Sequence, residues 1–251
     1  MGLTIVWQKR SLKMNKIIIK NIKKKFKNKE ALRDISIEFK KNQITGLLGP
    51  NGSGKTTLFN IITGFLDQDE GYIFLDDEDI SSYSLSKRSE LGLTYLPQEA
   101  SIFRDLTVYD NILCVAEIFL TKDKIIKKVN QLIEDFSLEE FKDRKGKFLS
   151  GGERRRTEIA RALACEPSFI MMDEPFAGID PIAIAEVKQT IIKLKKNNIG
   201  VIITDHNVRE ALKVVDYAHI IYDGSIIREG DPDTIIRDDL VKKIYLGRDY
   251  Q

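Results

Sequence analysis

The chain has 251 residues, 42% of them hydrophobic and 31% charged, enough for one large domain, or a core with a subdomain, around a substantial apolar interior. A net charge of +2 gives no bulk electrostatic case for a nucleic-acid partner, and no apolar run approaches the roughly 18–20 residues that span a bilayer. Cys114 and Cys165 show neither metal nor redox spacing, and nothing requires disulfides, which suits a reducing compartment.

The first residues do not read as a secretory signal, because the apolar stretch is short and the basic residues follow it. Gly2 is not followed by the Ser or Thr that myristoylation wants at position six, which is Val6. Met14 opens a second start. Residues 1–14 are therefore expected to be a dispensable extension, and 15–251 the working domain.

Lys16–Ile22 and Asp34–Phe39 read as strands from their β-branched content and alternation. The Lys-rich stretch Lys20–Lys29 between them is either a contact for an anionic surface or a solvated face. Phe26 has two readings. It is a core side chain, or an aromatic at an exposed strand end that stacks on a base, worth roughly 1–3 kcal/mol.

Gln43–Leu48 then reads as a buried parallel strand and Leu58–Thr63 as a helix. Between them Gly49-Pro50-Asn51-Gly52-Ser53-Gly54-Lys55-Thr56-Thr57 fits the phosphate-binding loop G-x-x-x-x-G-K-[ST], in the strand–loop–helix context that motif needs. Its glycines let backbone N–H groups converge on a β-phosphate at a helix N-terminus, where the dipole favours negative charge. Lys55 reaches the β/γ oxygens as a point charge, and the Thr56 hydroxyl is a Mg²⁺ ligand.

Gly71–Leu75 is a further strand, and Asp76-Asp77-Glu78-Asp79 after it is either a metal site or a solvated turn. Gly92–Pro97 is a short strand that Pro97 ends, so Gln98 begins a loop. The period then changes. Thr107–Phe119 and Lys122–Phe136 are helical, the second with Ile125, Ile126, Val129, Leu132, Ile133 and Phe136 on one face. Residues from about 99 to 165 thus form a helical insertion in an α/β chain. It closes with Leu149-Ser150-Gly151-Gly152-Glu153 and a helix to Cys165, a packed position. Ser150 is a helix N-cap, and Ser-Gly-Gly also makes a second anion-binding N-terminus. Arg154, Arg155 and Arg156 read mostly as a solvated face.

Phe169–Met172 is a continuous apolar run typical of a central parallel strand, delivering Asp173 and Glu174 at its C-terminal end, where α/β sheets hold ligands. Pro181–Asn197 follows as a helix capped by Asp180, then strand Gly200–Thr204 delivers Asp205 and His206. Asn207–Val214 is helical, Tyr217–Tyr222 and Ser225–Arg228 form a hairpin around Asp223-Gly224, and Pro232–Tyr245 reads as one C-terminal helix.

The phosphate loop, a loop Gln, Ser-Gly-Gly-Glu opening a helix, a strand ending Asp-Glu and a strand ending in His occur in fixed order. Together they resemble the nucleotide-binding domain of ABC-type ATPases over about residues 15–248. The resemblance implies an α/β P-loop NTPase fold with a RecA-like core, an antiparallel β subdomain and a helical subdomain. It implies ATP and Mg²⁺ as ligands. Phe26 would stack on adenine, Asp173 would bind Mg²⁺, and Gln98 would complete the metal shell and couple to membrane subunits. Glu174 would be the general base, a role whose loss typically costs about 10²–10⁴ in rate. His206 would contact the γ-phosphate and hold water, nucleotide and base in register. Ser150, Gly151 and Gly152 would bind ATP held by the other protomer of a homodimer, with Asp180 in the loop crossing that interface, so that ATP binding closes the dimer and hydrolysis opens it. Glu153, where many relatives have Gln, and Ala177, where many have Ser, are small departures that remove no catalytic group.

Within that family, Tyr95–Arg104, Leu106–Asn111, Ser150–Arg156, Asp173–Pro181, Thr204–Glu210 and Tyr245-Leu246-Gly247 look most like the ATPase subunit of bacterial lipopolysaccharide exporters. That likeness implies a peripheral protein on the cytoplasmic side of the inner membrane, working with two transmembrane subunits and no nucleic acid. Phe103 and Arg104 would line the groove that receives a coupling helix; the other reading of both is subdomain packing. Two rivals remain. One is the ATPase of a branched-chain amino acid importer, which shares the Tyr-Leu-Gly ending. The other is a soluble ABC-type ATPase of translation or DNA repair, which would usually carry a second nucleotide domain, a coiled coil or a basic arm.

Overall fold

The structure is a computed structural model that describes residues 14–27 and 29–246. The expected dispensability of the N-terminal extension concerns residues that, apart from the buried Met14, lie outside the described ones.

Alternating apolar residues build the first two strands, β1 (Lys16–Phe26) and β2 (Lys29–Lys40), both longer than their sequence runs predict. They pair antiparallel with Ile17 opposite Phe39 and Ile19 opposite Ile37, and all four side chains are buried. Five all-buried residues make β3 (Ile44–Leu48), which feeds the phosphate loop and then α1 (Lys55–Thr63). Next come β4 (Glu70–Leu75), the two-residue β5 (Glu78–Asp79), α2 (Leu85–Glu90) and β6 (Leu93–Leu96). The helical stretch contains α3 (Val108–Phe119), α4 (Lys122–Asp135) and α5 (Gly151–Leu163). The chain returns through β7 (Phe169–Asp173), α6 (Pro181–Lys196), β8 (Gly200–Asp205), α7 (Val208–Leu212), the β9 (Tyr217–Tyr222)–β10 (Ser225–Gly230) hairpin and α8 (Pro232–Arg237).

Two sheets result. A six-stranded sheet runs β10-β9-β3-β8-β7-β6, parallel except for β10 at one edge, and an antiparallel sheet runs β2-β1-β4-β5. Successive residues of the central strands point to opposite sides, so the sheet divides the apolar interior in two. Leu48, Ile170, Met172, Val201 and Ile203 face a cluster shared with α3, α4, α5 and α6. Leu47, Phe169, Met171 and Ile202 face the other cluster, with Leu58, Phe59 and Ile62 of α1 and the inner face of the antiparallel sheet. The C-terminal ends of β3, β7 and β8 lie side by side, as the register Leu48–Asp205 and Asp173–Thr204 requires. That edge is where an open α/β sheet holds its ligand.

The structure corrects several sequence expectations. Ile126, placed on the apolar face of α4, is 54% exposed; the buried stripe there is Val129, Leu132 and Ile133. The expected C-terminal helix breaks at Asp238. That residue's carboxylate accepts the Val241 N–H at 2.9 Å and pairs with Arg228 at 2.6 Å, so it starts a new helical turn, Asp239–Val241, which runs into Lys242–Leu246. For the acidic run after β4 the turn reading holds at Asp76-Asp77, where Asp76 anchors the start of β1 by accepting the N–H groups of Asn15 and Lys16 at 2.9 Å each, while Glu78–Asp79 forms β5. Among the described residues no helix is long and apolar enough to cross a membrane.

Candidate nucleotide site

The phosphate loop is shaped by close approach. A Cβ on Gly49 would sit 2.1 Å from the Ile221 carbonyl, and one on Gly54 would sit 2.7 Å from the Ala31 carbonyl, at φ +112°. Gly52, at φ +77°, has nothing within 4 Å of where a Cβ would be, so the loop is open there. Lys55 is buried, and its ammonium donates to the carbonyls of Gly49 at 2.7 Å and Pro50 at 2.9 Å, closing the loop into a ring. Burial pushes the Lys55 pKa down, while the nearby carboxylates of Glu174, Asp173 and Asp205 pull it up. α1 has Gly54 at its N-cap position and therefore no side-chain cap. The Ser53 hydroxyl, buried beside that end, has no partner. An uncapped helix N-terminus, an open glycine and a buried ammonium form a cradle that fits an anion of several charges.

The ends of β7 and β8 supply the remaining chemistry. Asp173 is buried; the Thr204 hydroxyl donates to its Oδ1, and the Tyr95 hydroxyl to its Oδ2 at 3.4 Å. Burial beside Asp173 pushes the Tyr95 phenol up to about 12, keeping it a donor. Glu174 takes φ +44°, rare for a residue with a side chain. Its N–H is held there by the Thr204 carbonyl at 3.0 Å and hydroxyl at 3.2 Å. Its Oε2 receives the Gln98 amide at 2.8 Å and stands 3.0 Å from His206 Nδ1. Three residues from three separate strand ends thus meet at one carboxylate oxygen. Asp205, behind His206, accepts the N–H groups of Asn207 at 2.7 Å and Phe176 at 3.1 Å; burial raises its pKa against those bonds.

The hard oxygen donors here, the buried Asp173 carboxylate and the Thr56 hydroxyl in the first turn of α1, are of the kind Mg²⁺ takes, since that ion binds one or two carboxylates and fills its shell from water and phosphate.

The other sequence-predicted residues take these places. Phe26 ends β1 at 46% exposure, with the Lys24 ammonium 5.7 Å above its ring, so it is not a core side chain. Ser150 opens α5 with a full capping box: its hydroxyl accepts the Glu153 N–H at 3.3 Å, and the Glu153 carboxylate accepts the Ser150 N–H at 2.9 Å. Gly151 is open to 4 Å, and Gly152 faces Ala183 and Glu186 of α6. Asp180 caps α6 through the N–H groups of Ile182 at 2.9 Å and Ala183 at 3.0 Å. Phe103 is 48% exposed, stacked under the Arg161 guanidinium at 4.6 Å, and Arg104 is exposed beside it. Pro50, Asn51, Thr56 and Thr57 belong to the loop and the first turn of α1.

Sequence reasoning missed four supporting residues. Thr204 and Tyr95 hold Asp173. Asn111, fully buried in α3, accepts the Phe103 N–H at 2.9 Å and donates to the Thr107 carbonyl at 2.8 Å, fixing the loop after Gln98. Arg155, read as part of a solvated face, is buried and donates to the Pro97 carbonyl at 3.1 Å and to Glu158 at 3.3 Å. An apolar-side position in the α5 period was its one available signal.

Fold and site define a P-loop nucleotide-binding ATPase of the α/β class. Residues 32–177 match the family model described as ABC transporter. The chain is 48% identical to the lipopolysaccharide export system ATP-binding protein LptB of Haemophilus influenzae over 95% of its length and all of that protein's. It is 47% identical to the protein of the same name from Escherichia coli K12, with the same coverage. Among solved structures, the ATP-binding cassette MJ1267 of an ABC transporter in its ADP conformation superposes with a TM-score of 0.83 at 31% identity, covering 94% of this chain and all of that one. The chain belongs to the ABC transporter ATP-binding family. It binds ATP and is an ATPase whose turnover is coupled to transport.

Proposed function

We propose that the chain is the motor subunit of a lipopolysaccharide export system, working as a homodimer on the cytoplasmic side of the inner membrane and driving two transmembrane partners. The observation that carries the hydrolytic part is the meeting of Gln98 and His206 on Glu174 Oε2. The observation that supports the substrate is the shared naming of relatives 47–48% identical over their full length.

In this reading the loop N–H groups from Gly49 to Thr57 and the Lys55 ammonium bind the phosphates. Phe26 stacks on the base. Thr56, Asp173 and Gln98 hold Mg²⁺, which neutralises phosphate charge when bound. Glu174 accepts the proton of the attacking water, its carboxylate oriented by the Gln98 amide and by His206. His206 also faces the γ-phosphate and ties the attacking water to the base. The Ser150–Gly152 end of α5 and Asp180 of a second copy complete the site, because a helix end capped by its own chain can still present N–H groups to an anion held by another. Phe103 and Arg104 receive a helix of a membrane partner.

An affinity pull-down from native membranes, with the co-purifying chains identified, tests the pathway. Two membrane subunits of the lipopolysaccharide exporter are the expected result. Amino-acid permease subunits would leave the ATPase and discard the substrate. Ribosomes or repair proteins without a membrane partner would overturn the transport role proposed here.

A further inference from the structure

The Tyr-Leu-Gly ending is absorbed by nothing in the hydrolytic mechanism, yet its tyrosine reaches the site. The Tyr245 hydroxyl donates to the backbone carbonyl of Asp205 at 3.2 Å, across 40 positions of sequence. That carbonyl belongs to the planar peptide unit whose N–H is that of His206, so its orientation fixes the direction in which the His206 Cα leaves β8.

Other bonds at this strand end come from the site itself. The Thr204 carbonyl takes the Glu174 N–H at 3.0 Å, and the Asp205 carboxylate takes Phe176 N–H at 3.1 Å and Asn207 N–H at 2.7 Å. Tyr245 approaches instead from the C-terminal segment, which is itself firmly held. Ile235 and Val241 are fully buried, and Tyr245 and Leu246 pack against the same apolar cluster. The ion pair of Asp238 with Arg228 at 2.6 Å ties the segment to β10. The His206 side chain, by contrast, is 54% exposed. A ring with so little packing around it takes its place chiefly from its backbone. A shift there of a few tenths of an ångström is a large part of the tolerance of its 3.0 Å contact with Glu174.

We infer that Tyr245 is a positioning residue for ATP hydrolysis: it holds the Asp205–His206 peptide so that His206 meets Glu174, an inference that rests on the hydrolytic roles proposed for those two residues. The C-terminal segment thereby sets the register of the catalytic histidine.

The test is steady-state ATP hydrolysis by the full chain as wild type, Tyr245→Phe, His206→Ala and the double variant, with melting temperatures of each. Phenylalanine keeps the packed ring and removes the hydroxyl that donates to the Asp205 carbonyl. The expected result is a fall in kcat of about 3–10-fold, the weight of one hydrogen bond, with KM for ATP within about twofold and an unchanged melting temperature. In the double variant Tyr245→Phe adds nothing to His206→Ala, because it acts through that residue. Wild-type kcat in Tyr245→Phe beside a slow His206→Ala would overturn the positioning role and leave the hydrolytic reading intact. Multiplicative losses in the double variant, or a KM and melting temperature that shift together, would also overturn it. Wild-type turnover in His206→Ala would remove the hydrolytic reading and this inference with it.

Discussion

Two helices have N-termini to which the proposed function assigns phosphate binding, and they are anchored at opposite ends. α1 has no side-chain cap at its N-terminus; its fixing point is the other end, where the buried Arg88 donates to the carbonyls of Ile61 at 2.6 Å and Ile62 at 2.7 Å. The same guanidinium reaches the Tyr83 carbonyl at 2.9 Å and the Ser81 carbonyl at 3.0 Å, tying α1 to the segment after the antiparallel sheet. α5 is the reverse. Its N-terminus is closed by the Ser150–Glu153 capping box, and its body is braced to α6 by the Arg156–Glu186 pair. A helix that must give its first N–H groups to a ligand has to be held elsewhere, and a cation at its C-terminus does so while complementing the dipole. In the proposed dimer α5 would meet its ligand only when a second copy arrives, and until then it has to be satisfied by itself.

This contrast sets the order of the expected effects. Lys55→Met removes the ammonium that closes the phosphate loop, and ATP binding, read by calorimetry, should weaken about 10–100-fold, the weight of a lost charge-assisted hydrogen bond. Arg88→Leu leaves the last carbonyls of α1 buried without a donor. It should lower unfolding free energy by about 3 kcal/mol in urea titration, with an m-value unchanged. Burial already presses the Arg88 pKa down to about 10, so a lysine there should do little better. Glu153→Ala opens the capping box of α5 and should cost about 1 kcal/mol, whereas Glu153→Gln should keep most of it. Equal stability of Glu153→Ala and wild type would show that α5 is not anchored at its N-terminus.

The smallest effect is one of pH. Asp180 is held below its ordinary 3.8 by the Ala183 N–H first and then the Ile182 N–H. A carboxylate depressed by folding adds stability above its unfolded pKa and loses it as pH falls through the folded value. Wild type should therefore lose its advantage over Asp180→Asn as pH drops below about 4, and a difference constant with pH would refute that cap.

The regions differ in how much of them the sequence displays. The phosphate loop, Asp173, Glu174 and the strands that deliver them are legible because motif, apolar run and sheet edge all point one way. α2 shows no apolar period, since its buried member is Arg88, so nothing in Leu85–Glu90 marks a helix by pattern. Arg88 acts on carbonyls at the end of α1, and Asn111 and Arg155 act on backbone groups of the segment around Pro97 and Phe103, contacts that side-chain periodicity does not encode. The break at Asp238 needs Arg228 from β10, a tertiary partner, to become visible. The positive φ of Glu174 is likewise set by Thr204 on the neighbouring strand and not by its own neighbours in the chain.

The central claim is that Glu174, oriented by Gln98 and His206, is the base in a site completed by a second copy. The most direct measurement follows ATP turnover and molecular mass of Glu174→Gln in the presence of ATP. The expected result is hydrolysis slowed by about 10²–10⁴ with a dimer that ATP holds together. Turnover at the wild-type rate, or an ATP-bound variant that stays monomeric, would contradict it.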